Sequence, residues 1–362
     1  MSERKLASIQ KVVSLEPIEG ADRIEKATVL GWELVTKKGE FNVGDLCVYI
    51  EIDSQVPERP EFEFLRERKF RVRTIKLRKQ ISQGLALPLN ILPKDTYKEG
   101  QDVTSLLGIK KYDPQAEQEQ KLIQEKIDRN NNKIEKFLCR YSWFRKIFFR
   151  PKKGGFPSFI KKTDETRLQN IPNILQKEKD TIFQVTEKID GQSGTYFLIK
   201  NSHKLFGKKY TFGVCSRNLH LPTPNNSSYW TIAKQYNIEK VLHSLIGDNQ
   251  FIVLQGEILG EGIQGNKYKI KGYDFYAFNL IYPDKQIDTV TMTNILKEHD
   301  IKSVHILDTN FKLKDTVPEM VEYAKGKSFL LPILREGVVI RNYDKNISFK
   351  VINPDFLLKN KE

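Results

Sequence analysis

The chain has 362 residues, of which 39% are hydrophobic and 29% charged, a balance typical of globular proteins. That length exceeds one ordinary hydrophobic core and predicts two domains. No apolar run approaches the ~20 residues of a membrane span, and the N-terminus MSERKLASIQ lacks the apolar core of a signal peptide. We therefore expect a cytoplasmic, non-secreted protein that does not bind membranes.

The net charge indicates the kind of partner, and the cysteine content indicates the compartment. The net charge of +14 favours polyanions, of which nucleic acid is the commonest. Cys47, Cys139 and Cys215 lie far apart and are odd in number, which fits a reducing compartment better than a disulfide framework. Neither the cysteines nor the five histidines show zinc-ligand spacing. The sequence thus predicts an intracellular protein without a structural zinc.

Residues 1–110 carry short apolar runs separated by turn signals, a pattern of strands. The runs are KLASIQKVVSLEPI, IEKATVLGWELVTKKG, GDLCVYIEIDSQVP, FRVRTIKLRK and GLALPLNIL. Five short strands without a long helical pattern predict a small β-barrel. The OB fold is the five-stranded barrel that commonly binds nucleic acid. We therefore predict an OB-like nucleic-acid-binding domain here.

Within this domain, residues 65–79 (LRERKFRVRTIKLRK) contain eight Lys or Arg in fifteen positions. One explanation is an exposed hairpin edge that charge protects from pairing with other chains. The other is phosphate binding, because so many like charges repel one another unless an anion relieves them. We favour phosphate binding and assign it to Arg71, Arg73, Lys76 and Arg78.

Residues 111–155 change character and predict a helical basic linker. The stretch PQAEQEQKLIQEKIDRNNNKIEKFL places Ile123, Ile127, Ile134 and Leu138 near one helical face. The following CRYSWFRKIFFRPKKGG interleaves aromatic and basic residues. Burial of those aromatic side chains is favoured over base stacking.

Residues 156–362 are predicted to be strand-rich, with helices at 227–245 and 293–300. The first helix candidate begins with serine caps and carries a helical apolar period. The strand candidates surround both helices and predict antiparallel sheets with a cleft between them. The predicted fold class is therefore α+β in two domains. After Lys350 we expect only a short tail.

The stretch TEKIDGQSG, residues 186–194, places Lys188 directly after the apolar run TIFQV. A lysine at a strand end is usually a solvated surface charge. It can also be a nucleophile, which requires a lowered pKa and an electrophile within reach. The rest of the chain has to decide between these two interpretations.

Six motifs follow one another in a fixed order: EKIDG, CSRNLHL, LQGEILGEGIQGN, YDFYAFNL, REGVVIR and SFKVIN. Their order and their residues resemble those of the covalent nucleotidyltransferases. These are the DNA ligases, RNA ligases and mRNA capping enzymes, which share a K-x-D-G nucleophile motif. The four-residue motif alone is a weak signal, whereas six ordered motifs are a strong one. The upstream segment KTDETRLQN, residues 162–170, is similar to that of RNA ligases. An OB-like domain ahead of the transferase resembles the RNA-ligase clade that seals nicks, sometimes called type five.

This resemblance implies a nucleotidyltransferase domain over residues 156–362 that uses ATP and Mg²⁺ or Mn²⁺. Lys188 would attack the α-phosphorus of ATP and expel diphosphate, forming lysyl-AMP. AMP would pass to an RNA 5′-phosphate, and a 3′-hydroxyl would then expel AMP. A lysine with its ordinary pKa of about 10.4 is protonated at neutral pH and cannot attack. We therefore expect the pKa to be lowered, with Lys350 and the metal as the agents.

The resemblance also implies roles for the other motif residues. Asp190 and Glu336 would bind the metal or its waters, because hard oxygen ligands suit that ion. The implied nucleotide contacts are Glu187 for the adenine edge, Arg167 facing the nucleotide, Arg217 and Asn218 for ribose and 5′-phosphate, Glu257 for the ribose hydroxyl, Phe278 for adenine stacking, and Lys350. Each has a structural alternative: a core phenylalanine, a glutamate paired with a structural arginine, or a cation at a strand edge.

One position departs from the family pattern. Nucleotidyltransferases of this kind often carry two lysines, two residues apart, in the last motif. Ser348 and Lys350 occupy the equivalent positions here. The second basic group must come from elsewhere, and Lys345 or another segment could supply it.

Three alternatives remain open at this stage. A DNA ligase or a capping enzyme would share the lysine chemistry but usually carries its OB domain after the last motif. A catalytically decayed nucleic-acid-binding protein would lack the lysine or the carboxylates. The favoured hypothesis is that the protein is an ATP-dependent RNA ligase that acts as a monomer on nicked duplexes with an RNA 3′-hydroxyl end.

Overall fold

The structure is a computed structural model that describes residues 5–93, 96–112, 154–201, 209–221, 224 and 226–360. Most of the predicted helical linker, with Cys139, lies outside the described residues. Among the helices that are described, none is long and apolar enough to cross a membrane.

The strands of the first domain form a curled antiparallel sheet with smaller sheets beside it. They are β1 (Ala7–Pro17), β2 (Ile24–Val29), β3 (Trp32–Lys37), β4 (Leu46–Ile50), β5 (Ser54–Gln55), β6 (Arg71–Val72), β7 (Ile75–Leu77), β8 (Gln80–Ser82), β9 (Leu85–Leu87) and β10 (Lys110–Lys111). The main sheet has the order β3-β2-β1-β4-β9, the second β10-β5-β6, and β7 pairs with β8 alone. Short 3₁₀ helices (Pro60–Arg68, Leu89–Ile91) and helix α1 (Thr104–Leu107) connect them.

Strand β1, at the centre of this sheet, curls it because its two halves pair with different neighbours. Its first half pairs with β4 and its second half with β2, with a register shift between Val12 and Ser14. Such an irregularity bends a strand. The enclosed core contains fully buried Trp32 and Tyr49, whose rings stack with centroids 6.3 Å apart.

The second half contains two larger sheets. Its strands are β11 (Gly154–Gly155), β12 (Thr166–Arg167), β13 (Ile182–Lys188), β14 (Gln192–Lys200), β15 (Tyr210–Cys215), β16 (Leu219–His220), β17 (Phe251–Gly260), β18 (Tyr273–Ile281), β19 (Lys302–Ser303), β20 (Ile306–Lys312), β21 (Gly337–Asn342) and β22 (Ile347–Ile352). One sheet has the order β11-β16-β15-β14-β17-β18-β19 and the other β12-β22-β21-β13-β20. Most pairings are antiparallel; β12 with β22 and β18 with β19 are parallel.

The helices of this half are short. They are α2 (Ile174–Lys177), α3 (Ser228–Gln235), α4 (Ile238–Leu245), α5 (Thr289–Lys297), α6 (Val317–Ala324) and α7 (Pro354–Asn360), with 3₁₀ turns at Leu168–Asn170 and Gln264–Asn266. Helices α3, α4 and α5 share one hydrophobic cluster with the seven-stranded sheet. Helix α6 packs with the five-stranded sheet.

Two helix predictions need correction. The single helix predicted at 227–245 is two helices, because Asn237 adopts a left-handed conformation with φ 47°. The expected tail after Lys350 contains helix α7, in which Phe356 and Leu357 are buried in the core of the first domain. The chain end therefore ties the transferase half to the OB half.

Polar contacts also join the two halves around the segment 166–170. Trp32 Nε1 donates to Asn170 Oδ1 at 2.6 Å, and Asn170 Nδ2 donates to Glu51 Oε1 at 2.7 Å. The backbone of Gly31 donates to the carbonyl of Gln169 at 2.9 Å. A Cβ at residue 31 would lie 3.0 Å from the Gln169 Cα, so this close approach favours glycine.

Candidate active site

A cavity of about 340 Å³ is lined by both large sheets and by the end of the OB half. Strands β13, β21 and β22 supply one wall, and β14, β17 and β18 supply another. Of the predicted residues, the cavity is lined by Glu187, Lys188, Arg217, Asn218, Glu257, Phe278 and Lys350. Asp190, Glu336 and Arg167 do not line it.

Lys188 is the last residue of β13, and its partner in β21 is Gly337. Its Nζ donates to Glu336 Oε2 at 2.7 Å, and a quarter of the side chain is exposed (25%). Burial acts to lower the pKa of this ammonium, but the carboxylates of Glu336, Glu257 and Asp190 outweigh it and raise the pKa. The expected lowering is therefore not produced by the protein side chains. Lys350, one of the two expected agents, is paired elsewhere.

Asp190 is buried and paired with a lysine that the sequence analysis did not consider. Its carboxylate accepts from Lys267 Nζ, and its backbone N–H donates to Tyr268 Oη at 3.0 Å. The Lys267 ammonium lies over the ring of Phe356 in α7, 4.8 Å from its centroid. The two predicted metal ligands, Asp190 and Glu336, thus each accept from a lysine.

Glu257 contacts the K-x-D-G motif at the glycine of that motif, Gly191. Gly191 N–H donates to Glu257 Oε1 at 3.1 Å. A Cβ on Gly191 would lie 2.4 Å from the Ile258 carbonyl oxygen and 2.9 Å from Glu257 Cγ, which explains glycine after the aspartate. Burial raises the pKa of Glu257 to about 7, with Lys188 acting against it and Glu336 adding to it.

Glu187 and Phe278 lie at the apolar part of the cavity. Glu187 is 1% exposed, and its Oε2 accepts from the Phe329 N–H at 3.0 Å. Its Oε1 is buried and has no partner among the described residues. Phe278 is half-buried and packs beside Ile189 and Val304. An unpartnered acceptor beside an aromatic ring suits a flat ligand that carries an N–H donor.

Asp164, which also lines the cavity, contacts three cations. Its carboxylate lies 2.7 Å from Lys111 Nζ, 3.1 Å from Lys350 Nζ and 3.3 Å from Arg217 Nη2. Burial acts to raise the pKa of Asp164, but the charges of Lys350, Lys111 and Arg217 hold it well below its ordinary range. The cluster carries a net positive charge and therefore favours an anion. Asn218 lines the cavity beside it.

Known families and structures match this architecture along nearly the whole chain. An OB-fold domain family matches residues 6–89, and the RNA ligase family matches residues 181–353. The structure of Naegleria gruberi RNA ligase with PPi is 33% identical with a TM-score of 0.80, covering 99% of each chain. The chain belongs to the RNA ligase family. The predicted fold class, an OB domain followed by a nucleotidyltransferase domain, is confirmed.

Other structures of the Naegleria gruberi RNA ligase carry nucleotides. A mutant with ATP and Mn is 32% identical with a TM-score of 0.81, covering 99% of the present ligase and 100% of that chain. A mutant with AMP and Mn is 33% identical with a TM-score of 0.80, covering 99% of each chain. No curated protein matches the ligase in sequence.

Arg167 of the ligase lies at the contact between the domains, although the sequence analysis directed it at the nucleotide. It is 7% exposed, and its Nη2 donates to Asp53 Oδ2 at 2.8 Å. Its guanidinium lies 5.7 Å from the Trp32 ring centroid. Its Nε and Nη1 have no partner among the described residues. A nucleotide contact for Arg167 stays a prediction.

The predicted nucleic-acid residues divide between two environments. Arg71 lies 3.6 Å from Asp53 and stacks over the Tyr112 ring at 3.9 Å, so its charge is engaged by residues of the same half. Arg73 is half-buried, whereas Lys76 and Arg78 of the β7–β8 hairpin are exposed. The phosphate contacts remain predictions. Of the four residues, Lys76 and Arg78 of the hairpin are the most accessible to a nucleic acid.

Some cavity residues of the ligase were not predicted from its sequence, and one predicted residue lies elsewhere. Lys345 donates to Glu178 Oε2 at 2.6 Å and does not line the cavity. Lys111, Asp164 and Arg341 line it but were not assigned. Asp164 stood in the quoted KTDETRLQN segment, so that resemblance was the available signal. Arg341 is the last residue of the quoted motif REGVVIR, whereas Lys111 carries no local signal.

Proposed function

We propose that this RNA ligase uses ATP to join RNA 3′-hydroxyl and 5′-phosphate ends, sealing nicks in RNA repair. AMP and diphosphate are the by-products. The observation that carries the proposal is Lys188, placed among carboxylates at a cavity that is also lined by the cation cluster of Lys111, Arg217 and Lys350. The relatives solved with ATP, AMP and PPi support ATP as the nucleotide.

The first step is proposed to occur at Lys188 Nζ. A bond forms between this nitrogen and the α-phosphorus, and the bond from that phosphorus to the bridging oxygen of diphosphate breaks. The ammonium must first lose a proton, and Glu336, 2.7 Å away, is the nearest acceptor in the structure. An oxygen of the RNA 5′-phosphate then attacks the same α-phosphorus, and the nitrogen–phosphorus bond to Lys188 breaks. The 3′-hydroxyl oxygen finally attacks the 5′-phosphorus, its proton passes to solvent, and the anhydride bond to AMP breaks.

The carboxylates around Lys188 fit a divalent cation. Asp190, Glu257 and Glu336 all act on the charge of Lys188 and offer the hard oxygen atoms that Mg²⁺ and Mn²⁺ prefer. The described residues contain no group of three His, Cys, Asp or Glu side chains that could hold a metal by themselves. Asp190 and Glu336 would therefore act together with phosphate or water oxygens. The metal would neutralise the carboxylates that keep Lys188 protonated and the charge that develops on the phosphate.

In this proposal, the remaining cavity residues each contact a different part of the nucleotide. Phe278 stacks on adenine, and Glu187 Oε1 accepts from the exocyclic amine. Guanine presents a carbonyl oxygen there, so two acceptors would repel, which favours ATP over GTP. Glu257 accepts from the ribose, and the Arg217, Asn218 and Lys350 group binds phosphate, for which a guanidinium fork is well shaped.

Sealing assays test this function. Nicked duplexes with an RNA 3′-hydroxyl or a DNA 3′-hydroxyl, each opposite a 5′-phosphate, are incubated with the ligase, Mg²⁺ and either ATP or GTP. We expect sealing of the RNA-ended nick with ATP alone. Equal sealing of both nicks would support a DNA ligase, and label transfer from GTP would support a capping enzyme.

Exposed charges at the β7–β8 hairpin are expected to hold the duplex. Lys76, Arg78 and Lys79 are exposed, and the latter two have positive φ (46° and 68°). We expect Lys76→Gln with Arg78→Asn and Lys79→Asn to weaken nick binding, because asparagine tolerates this backbone while the charges are lost. The slope of log binding constant against log salt should fall by about 2–3, measured by fluorescence anisotropy.

A matched control removes three charges from exposed helical lysines of the transferase half, as Lys234→Gln, Lys240→Gln and Lys297→Gln. Lysyl-AMP formation should stay normal in both triple variants. Equal salt slopes for the two triple variants would count against the hairpin as a duplex contact.

A further inference from the structure

The loop between β17 and β18, residues 261–272, has an unusual backbone for which the proposed function gives no reason. Gln264, Asn266 and Lys269 have positive φ, at 45°, 48° and 55°, a conformation that is unfavourable for residues with a side chain. Asn266 closes the loop, because its Nδ2 donates to the Ile270 carbonyl at 2.9 Å and its Oδ1 accepts from the Ile270 N–H at 3.0 Å. Such strained positions are concentrated at functional sites.

This loop brings two side chains to Asp190 of the K-x-D-G motif. Lys267 Nζ donates to Asp190 Oδ2, and Tyr268 Oη accepts from the Asp190 N–H at 3.0 Å. Asp190 and Tyr268 are buried, and only 18% of the Lys267 side chain is exposed. The backbone and the carboxylate of Asp190 are therefore both fixed by residues from outside the motif.

Lys267 is itself held from a second side by helix α7. Its ammonium lies 4.8 Å from the centroid of the Phe356 ring, and Phe356 is buried in the core of the OB half. An ammonium over an aromatic face is attracted by the ring, and more strongly where water is excluded. The position of Lys267, and through it that of Asp190, therefore depends on the contact between the two halves.

The pairing of Asp190 with Lys267 decides which carboxylate binds the nucleophile. Lys188 Nζ donates to Glu336 Oε2 at 2.7 Å, and the charge of Asp190 also acts on Lys188. A buried carboxylate that loses its counter-ion is left uncompensated. Without Lys267, the Asp190 carboxylate would compete with Glu336 for the Lys188 ammonium.

We propose that Lys267 is a positioning residue for the lysyl-AMP step, which holds the Asp190 carboxylate and so leaves Lys188 paired with Glu336 at the cavity. The inference rests on the proposed function, because it concerns the nucleophile of that reaction. Lys267 does not line the cavity, so it acts through Asp190 and not by contact with ATP.

Lys267→Met tests this role, because methionine keeps an apolar contact with Phe356 and removes the charge. Lysyl-AMP formation is followed in a single turnover with Mg²⁺ at increasing ATP concentration. We expect the rate constant at saturating ATP to fall about tenfold. The half-saturating ATP concentration should change by less than about twofold, because no ATP contact is removed. Lys267→Arg returns a cation and should recover most of the rate.

Lys302→Met is the matched control. Lys302 Nζ lies 2.6 Å from the buried carboxylate of Asp274 and 5.6 Å from the Tyr276 ring centroid. The change therefore removes the same kind of pair, a lysine between an aspartate and an aromatic ring, and neither Lys302 nor Asp274 lines the cavity. It should leave the rate constant unchanged, whatever it does to the melting temperature.

A folded Lys267→Met protein with the wild-type rate constant would overturn the proposal. An equal loss in Lys302→Met, a defect confined to the half-saturating ATP concentration, or a defect that Lys267→Arg fails to recover would also overturn it. If Lys267→Met melts below the assay temperature, Lys267→Gln is measured by the same criteria, because its amide removes the charge and can still donate to Asp190. Wild-type protein that forms no lysyl-AMP would refute the proposed function itself, a result distinct from all of these.

Discussion

Lys188→Ala is expected to abolish transfer of label from [α-³²P]ATP to the protein. Only a side-chain amine at this position can form the nitrogen–phosphorus bond, so the loss should be complete rather than partial. The measurement is a denaturing gel of protein incubated with Mg²⁺ and the labelled nucleotide. Lys188 Nζ lies at the cavity wall, 2.7 Å from Glu336, whereas Lys111 and Lys350, which also line the cavity, both pair with Asp164.

The control for this variant is Lys345→Ala, a lysine whose Nζ pairs with Glu178 away from the cavity. It should label like the wild type. Lys188→Ala also leaves Glu336 and Glu257 without their shared cation, so a thermal melt must show that the protein is folded. Label that persists on a folded Lys188→Ala protein would identify another nucleophile and refute the assignment.

The sequence predicted the parts of the site that are local in the chain. Lys188, Asp190 and Gly191 stand within four consecutive residues, so one motif contains the candidate nucleophile, its aspartate and its glycine. The OB-like and α+β architecture followed from short apolar runs that predict strands. The resemblance supplied the order of the other motifs and hence Glu257, Phe278 and Lys350.

The parts that the sequence did not predict depend on contacts between distant segments. Asp164 meets Lys111, Lys350 and Arg217, which belong to three separate elements that only the folded sheets bring together. Arg341 enters the cavity because of a strand register that residue types alone do not fix.

Short helices are also hard to predict from the sequence when their stability depends on distant segments. Helix α7 has seven residues, too few to be stable alone, and its Phe356 and Leu357 gain their stability from the OB core. The sequence predicted only a tail here because the OB core, against which this helix packs, lies more than two hundred residues earlier in the chain. The break at Asn237 was hidden because the apolar period continues on both sides.

Asp53→Asn is expected to lower the free energy of unfolding by about 3 kcal/mol, because it removes the charge that neutralises a buried arginine. Arg167 is 7% exposed, and Asp53 Oδ2 lies 2.8 Å from its Nη2 across the contact between the domains. Asparagine suits this position because Asp53 has φ 67°, so the change isolates the charge from the backbone. Urea unfolding gives the measurement.

A double-mutant cycle with Arg167→Met distinguishes the pair from its surroundings. Removing both charges should cost less than the sum of the single changes, because the buried Arg167 charge is then no longer left uncompensated, whereas Arg71 loses Asp53 in the single and in the double variant alike. The comparison is Glu99→Gln, which breaks the exposed Lys11–Glu99 pair at 3.3 Å and should cost at most about 1 kcal/mol. Strict additivity of Asp53→Asn and Arg167→Met would show that the two side chains are not coupled. Coupling would instead establish that a residue of the nucleotidyltransferase motif region stabilises the contact with the OB domain.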